Sequence, residues 1–177
     1  CLLSKTSKVQ VWQRNKNSQI SQTKKHPNLK DYIIPDCISF TSDLDDIDFN
    51  NLTIIAIPSH AVEDVLSKCD LKKGQYLIVS KGFDPDSTSL LSEILQNIYD
   101  VDLNNIAVLS GPNHAEEIIS GMASATVIAS TNQNCARELQ SLFSSDTFRV
   151  YTSEDIIGVQ VGGAVKNIIA IASGLCV

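Results

Sequence analysis

Metal-binding and disulfide patterns are missing from this sequence. Its cysteines and its three histidines are scattered, and no CxxC pair or Cys/His cluster occurs among Cys1, Cys37, Cys69, Cys135 and Cys176. Zinc sites need clustered ligands, and disulfide frameworks use an even set of cysteines. The sequence therefore gives no support for a metal site. It fits a reducing compartment, and we expect a cytoplasmic protein.

Positive charge is also scarce. Fourteen Lys and Arg residues stand against twenty Asp and Glu residues, which gives a net charge of −6 at pH 7. Nucleic acids and anionic membrane surfaces are bound by an excess of basic side chains. The balance argues against both as the main partner, but a small anion needs only a few local cations.

The sequence has no initiator methionine and no recognisable signal peptide. It opens with Cys1-Leu2-Leu3 as though within a helix, and it stops at Val177 in an apolar segment without a capping residue. A length of 177 residues with 43% hydrophobic content suits one globular domain, or one domain and part of a second. We therefore expect a piece of a longer protein.

Short apolar runs alternate with helix-like segments along the chain. We expect strands at Lys8–Trp12, Leu52–Ile57, Tyr76–Ser80, Ile106–Leu109, Ala125–Ala129 and Thr147–Tyr151. We expect helices from Ser59, as the capping residue, to Lys68, and over Thr88–Tyr99 and Asn134–Phe143. The basic stretch Gln13–Lys30 is typical of a surface loop or ragged helix, and Asp36–Asp48 of a short strand and helix. Apolar runs too short for a helix indicate buried parallel strands, so the order predicts an α/β fold with a Rossmann-like, doubly wound, mostly parallel sheet.

Ligands bind such sheets outside the carboxyl ends of the strands. Three segments follow strands in this way: Pro58-Ser59-His60, Ser80-Lys81-Gly82 and Ser110–Ala115. Lys81 puts an ammonium beside a flexible glycine, although a plain exposed lysine is the simpler interpretation. Gly111 followed by Pro112, as the first helical residue, predicts a helix N-terminus open to an anion, or a helix start without a ligand.

The last segment, Ile156–Val177, carries a single charge, Lys166. A helix with such apolar flanks is expected to be buried, with Gly162 and Gly163 on the face of Lys166. A buried ammonium needs an anion, a polar partner or a lowered pKa. Three interpretations remain at this point. They are a core helix whose lysine snorkels to water, a membrane span that the polar centre disfavours, and a lysine that meets an anionic ligand or transfers a proton.

Together these motifs resemble a known enzyme family. The segments VSKG, VLSGPNHAEEI and FRVYTSEDIIGVQVGGAVKNIIAIASG, in this order and spacing, closely resemble NAD(P)-dependent glycerol-3-phosphate dehydrogenase of the bacterial type. The resemblance covers nearly the whole chain. It implies an oxidoreductase that interconverts sn-glycerol 3-phosphate and dihydroxyacetone phosphate with NADP or NAD and feeds phospholipid synthesis.

The resemblance also implies roles for individual residues. Lys166 resembles the catalytic acid/base, Asn167 its neighbouring amide, and Lys81 a residue that touches cofactor and substrate and polarises the reacting oxygen. Gly111 and Asn113 match substrate-binding positions, although Ser or Thr is common at the latter. The implied cofactor contacts are Arg14, Pro58, Ser59, Lys81 and Ala115.

Arg14 carries information of its own. A Rossmann site selective for NAD places Asp or Glu after the second strand, whereas an arginine accommodates the 2′-phosphate of NADP. The segment VWQRN offers Arg14 and no carboxylate. We therefore expect NADP to be accepted.

Members of the family begin with a strand and a Gly-rich phosphate loop, and they continue into a helical substrate domain. We expect residues 1–150 to form an N-terminally truncated NAD(P)-binding domain and residues 151–177 to begin the second domain. Activity is then expected only when both ends are restored. The expected partner is a small phosphorylated substrate, without nucleic acid or a membrane span, and a homodimer is compatible with the sequence. Two alternatives stay open: a related hydroxyacid dehydrogenase, and a non-catalytic nucleotide-binding or interaction fragment whose exposed apolar helix invites association.

Overall fold

A computed structural model describes residues 2–16, 18–26, 29, 32–71 and 74–176. Its strands are β1 Val9–Trp12, β2 Ile38–Thr41, β3 Leu52–Ile55, β4 Gln75–Ile78, β5 Ile106–Ser110, β6 Ser124–Ala129 and β7 Phe148–Ser153. Its α-helices are α1 Gln19–Thr23, α2 Val62–Leu66, α3 Leu91–Asn97, α4 Ala115–Ile119, α5 Gln133–Phe143 and α6 Ile156–Leu175. Cys1, Lys30 and Val177, to which the sequence analysis refers, lie outside the described residues.

The larger sheet has the strand order β3-β4-β5-β6-β7. Neighbouring strands are parallel except β5 and β6, which are antiparallel and pair Val108 with Ala129. The α/β class and the mostly parallel sheet are therefore confirmed. β6 is the exception to the parallel series, and its direction could not be read from the sequence, because it depends on the pairing partner and a local apolar pattern does not encode it.

The core lies on both faces of this sheet. Tyr76 and Ile78 of β4 pack with α2 and α3 on one face, and the intervening Leu77 packs with α5 on the other. All three residues are fully buried. Successive residues of a strand point to opposite faces, so a central strand covered on both sides is apolar throughout. β3 lies at the sheet edge, and only Ile55 of this strand is buried.

The smaller sheet pairs β1 with β2 in parallel, with Trp12 opposite Thr41. The strand expected within Asp36–Asp48 is thus present, but the helix expected beside it is not. After β2 the backbone N–H of Asp43 donates to the Thr41 hydroxyl, and that of Asp45 to the Asp43 carboxylate. Such local side-chain bonds compete with helix formation and hold the segment in turns.

The two halves of α6 have different surroundings. Asp155 caps its N-terminus by accepting a hydrogen bond from the Gly158 N–H, and the first half packs against β5 and β6. Lys166 is half-buried, but every residue from 167 to 176 is exposed. The expectation of a buried helix is therefore wrong for the second half, because no described segment covers it. By length and composition alone α6 could also cross a membrane, a test that core helices of soluble proteins pass as well.

Candidate functional site

The segments after β3, β4 and β5 meet at one edge of the larger sheet. These strands are parallel, so their carboxyl ends lie together. Gly82 has a φ of +125°, and a Cβ there would lie 2.7 Å from Oγ of Ser59. A left-handed backbone and so close a neighbour both favour glycine. Two of the three segments singled out in the sequence are thus in direct contact.

Helix α6 crosses the end of β5 at Gly163. A Cβ on this glycine would lie 2.6 Å from Oγ of Ser110 and 3.8 Å from Cγ of Lys81. The missing side chain lets the helix backbone approach the strand end closely. Because Lys166 lies three residues further along the helix, the same crossing brings its ammonium to the edge that carries Lys81.

The two ammonium groups interact. Partial burial and, after it, the neighbouring Lys166 lower the pKa of Lys81 below its ordinary 10.5. Lys81 remains exposed as a residue, so water screens part of the repulsion. Two like charges held together favour loss of one proton from the pair or arrival of an anion. The edge is thus suited to an anionic ligand or to proton transfer.

Polar groups lie close together directly after β5, next to the crossing of α6. A Cβ on Gly111 would lie 2.8 Å from Oγ1 of Thr126, 2.9 Å from the Ala125 carbonyl and 2.9 Å from Nδ2 of Asn113. Oδ1 of Asn113 is buried and has no hydrogen-bond partner among the described residues. A buried acceptor without a donor is costly, so this oxygen is available for a hydroxyl of a bound molecule.

Two expected helix starts are wrong. Helix α4 begins at Ala115, after Pro112 rather than at it, and has only five residues. Gly111 therefore serves close packing rather than an anion at a helix terminus. Ser59 does not cap α2, since a 3-10 turn over Ser59–Ala61 precedes that helix and no side-chain cap bond forms. Its hydroxyl instead faces Gly82.

A cleft of about 200 Å³ opens where the end of β1 approaches the segment after β3. Its lining residues are Trp12, Gln13, Arg14, Ile57, Pro58, His60, Ala61 and Val65. Apolar walls with an exposed guanidinium at Arg14 fit the adenosine part of a dinucleotide, in which a flat base is followed by phosphorylated ribose. The residues present therefore fit NAD or NADP. Among the described residues no group of three His, Cys, Asp or Glu side chains could hold a metal ion.

The structure brings most of the expected site residues into two neighbouring groups. Lys81, Lys166, Gly111 and Asn113 surround the β5 end, and Arg14 and Pro58 line the cleft. Ala115 and Asn167 are exposed.

Sequence reasoning placed His60 in a segment where a ligand is expected but gave it no role of its own. It missed Trp12 as a cleft residue, and it missed the hydrogen bonds of Gln160. Gln160 did carry a signal, because a buried amide in an apolar helix needs a hydrogen-bond partner.

Comparison with known proteins agrees with this geometry. Residues 1–136 match the family described as "NAD-dependent glycerol-3-phosphate dehydrogenase N-terminus". The chain belongs to this family. A relative from Halothermothrix orenii, named glycerol-3-phosphate dehydrogenase (NAD(P)+), is 40% identical over 175 residues, which make up 95% of this chain and 50% of the relative. The relative of the same name from Clostridium acetobutylicum is 37% identical over 184 residues, covering 98% of this chain and 54% of its own.

Solved structures share the fold. The crystal structure of glycerol-3-phosphate dehydrogenase from Coxiella burnetii superposes with a TM-score of 0.82 at 27% identity, over 98% of this chain and 56% of that chain. The Plasmodium falciparum glycerol-3-phosphate dehydrogenase, at 24% identity and a TM-score of 0.84, supports the fold alone, over 98% of this chain and 53% of that chain. The chain thus spans about half the length of the curated relatives it matches.

Proposed function

We propose that this chain supplies the NAD(P)-binding half of a glycerol-3-phosphate dehydrogenase, which interconverts sn-glycerol 3-phosphate and dihydroxyacetone phosphate. The observation that supports this proposal most strongly is the pair Lys81 and Lys166, which the crossing of α6 at Gly163 holds together at the sheet edge. An enzyme of this class needs a proton acceptor and a stabiliser of negative oxygen at one carbon atom. A pair of neighbouring lysines can provide both.

The residues divide the work as follows. A bound nicotinamide cofactor would supply the hydride chemistry of this reaction, at C2 of the substrate. Nζ of Lys166 takes the proton of the C2 hydroxyl during oxidation and returns it during reduction. Nζ of Lys81 donates a hydrogen bond to the same oxygen as negative charge develops there.

Polar groups around the lysines orient the substrate. Oδ1 of Asn113 accepts a hydrogen bond from a substrate hydroxyl, and the absence of a side chain at Gly111 lets Asn113 pack close to its backbone. Asn167, exposed on α6 next to Lys166, completes this set from the solvent side. Arg14 and Pro58 would hold the adenosine end of the cofactor, and Arg14 would permit a 2′-phosphate. Ser59 and Ala115 are the further cofactor contacts in this proposal.

The finer assignments follow from this role. Residues 1–150 form the dinucleotide-binding domain, and residues 151–177 begin the substrate domain. In this proposal the enzyme is a cytoplasmic homodimer, and it supplies glycerol 3-phosphate for phospholipid synthesis. Helix α6 is not a membrane span in this proposal, since its first half packs on β5 and β6 and its centre carries Lys166.

The proposal is tested with a chimaera in which the flanking segments of the Halothermothrix orenii relative extend this chain at both ends. Oxidation of NADH and of NADPH is followed with dihydroxyacetone phosphate as the second substrate. We expect oxidation that depends on dihydroxyacetone phosphate with both cofactors, and a higher KM for NADPH in Arg14→Ala with little change for NADH.

The control replaces Lys68, whose exposed ion pair with Asp64 on α2 lies outside the site. Lys68→Ala should match the parent chimaera. A folded chimaera that binds NAD(P)H but oxidises it no faster with dihydroxyacetone phosphate would contradict the proposal. It would favour a nucleotide-binding or interaction role.

A further inference from the structure

Gln160 is a buried amide in the apolar first half of α6. It is 8% exposed, and Ser92, its partner on α3, is 3% exposed. The Ser92 N–H donates to Oε1 of Gln160 over 3.2 Å, and Nε2 of Gln160 donates to Oγ of Ser92 over 2.6 Å. Ser92, which lies 68 positions away in the sequence, thus bonds both ends of the amide, and Nε2 also donates to the Ile156 carbonyl of α6 over 3.4 Å.

The bonded partner explains why a polar side chain is kept there. Ser92 lies in the first turn of α3, where backbone N–H groups have no acceptor within the helix. Gln160 supplies one acceptor from another element. An apolar side chain of the same size would leave this N–H buried and unpaired, at a cost in stability.

The bond pair also joins α6, which carries Lys166, to α3, which follows the segment that carries Lys81. Lys81 lies in the segment between β4 and α3, so the start of α3 fixes the far end of that segment. Lys166 lies six residues after Gln160, about 9 Å along the helix. Between them Gly163 rests on Ser110. Helix α6 is therefore held at two points, Gln160 and Gly163, before it reaches the reacting ammonium.

We propose that Gln160 is a positioning residue. Its paired hydrogen bonds to Ser92 fix the rotation of α6 about its axis and its position along that axis, and these set the distance between Lys166 and Lys81. The effect of Gln160 on catalysis rests on the proposed dehydrogenase function, whereas its effect on the distance between the two lysines does not. Without the bonds, repulsion between the two ammonium groups moves them apart. Displacements of this kind, even of about 1 Å, lower rates by up to about 100-fold.

The test uses Gln160→Leu in the extended chimaera, with two measurements. The first is the pKa of Lys81, followed by NMR of isotope-labelled lysine and assigned through Lys81→Arg. We expect the pKa of Lys81 to rise in part, because Lys166 moves away while burial, the larger cause of the lowered pKa, remains. The second is the steady-state rate, with a kcat lower by roughly 10- to 100-fold and a KM for NAD(P)H within about twofold.

Two further variants separate positioning from general stability. Gln160→Glu keeps an acceptor for both the N–H and the hydroxyl of Ser92 and should restore kcat to within about threefold, since a carboxylate is also favoured at a helix N-terminus. The matched control is Gln140→Leu, which removes the 2.7 Å bond from Nε2 of Gln140 on α5 to the Val150 carbonyl of β7. It should lower stability without changing kcat or the pKa of Lys81.

If Gln160→Leu does not fold, Ser92→Ala is used instead, which removes only the hydroxyl. We expect its kcat to be about fivefold lower than that of the parent. An unchanged pKa of Lys81 together with an unchanged kcat in Gln160→Leu or Ser92→Ala would overturn the positioning role. A parent chimaera without dehydrogenase activity would overturn the proposed function instead. The pKa measurement would still decide whether Gln160 sets the spacing of the lysines.

Discussion

The two halves of α6 have similar composition but opposite surroundings. Residues 156–166 meet the sheet, with Ile156, Gln160 and Gly163 buried, whereas residues 167–176 are all exposed and include Ile168, Ile169 and Ile171 at 59–67% exposure. Apolar character alone therefore does not decide which half is packed. The packed half is the one that carries a glycine at the crossing point and an amide with a buried partner.

The two halves also differ in their relation to the site: the first half positions it, and the second half has no packing partner among the described residues. The packed half carries Lys166 to Lys81 at the carboxyl ends of β4 and β5. The exposed half carries several apolar side chains close together. Contiguous exposed apolar surface of this kind is typical of interaction sites, whereas single exposed apolar residues are not. The predictions below test this division, from the largest expected effect to the smallest.

Lys166→Ala in the extended chimaera should have the largest effect. Loss of the proton-transferring group at the packed half should lower kcat by about 10²- to 10⁴-fold. Steady-state kinetics with dihydroxyacetone phosphate measure it, with Lys68→Ala as the control. A kcat within threefold of the parent would remove Lys166 from the proton transfer.

Ile156→Ala and Ile171→Ala make the same change in the two halves. In this chain the buried Ile156 should cost about 2–5 kcal/mol of the free energy of unfolding through a lost apolar contact and a cavity. The exposed Ile171 should change it by no more than about 0.5 kcal/mol. Urea unfolding measures both, and equal costs would contradict the division of α6.

Extension of the chain should reduce the difference between the stability costs of Ile156→Ala and Ile171→Ala. If a second domain covers the exposed half, as proposed, Ile171→Ala in the chimaera should cost more than about 1 kcal/mol, because the side chain has become buried. The measurement is the same urea titration. A cost that stays near zero would contradict the assignment of residues 151–177 to the start of that domain.

The adjacent glycines offer a finer comparison within the packed half. A Cβ on Gly163 would meet Ser110 at 2.6 Å, while a Cβ on Gly162 has nothing within 4 Å. Both valine variants carry the same helix propensity, so Gly163→Val should be less stable than Gly162→Val by about 1–3 kcal/mol through overpacking. Thermal or urea unfolding of this chain measures the difference, and a reversed order would place the crossing elsewhere.

The smallest effect concerns the pH dependence contributed by Lys81. Its pKa is lowered in the folded protein, so between that pKa and 10.5 the unfolded chain binds more protons. The contribution of Lys81 to stability therefore rises with pH through this window, and Lys81→Met should remove that rise. Lys166→Met should reduce it only in part, because burial is the larger cause of the shift. Urea titrations at several pH values measure the difference from the parent chain, and a larger loss in Lys166→Met would contradict this order of causes.

Local patterns predicted much of this molecule. The apolar runs that became β3, β4 and β5 are short and rich in β-branched residues, and each is followed by a turn, so both the strands and their ligand-facing ends could be read from the sequence. The face shared by Gly163 and Lys166 also follows from helical spacing and agrees with the contact at Ser110.

The rest depended on contacts between distant segments. The antiparallel β6 is set by its pairing with β5, and the exposure of residues 167–176 by the lack of a covering element among the described residues. The late start of α4 at Ala115 follows the packing of Gly111 against Thr126 and the Ala125 carbonyl. The partner of Gln160 lies 68 residues away, beyond the reach of any local pattern.

The most direct measurement is a crystal structure of the extended chimaera with glycerol 3-phosphate bound. The account predicts that the C2 hydroxyl lies within hydrogen-bond distance of Nζ of both Lys81 and Lys166, with a substrate hydroxyl on Oδ1 of Asn113. Glycerol 3-phosphate bound away from the crossing of α6 and β5, with the two lysines facing solvent, would contradict it.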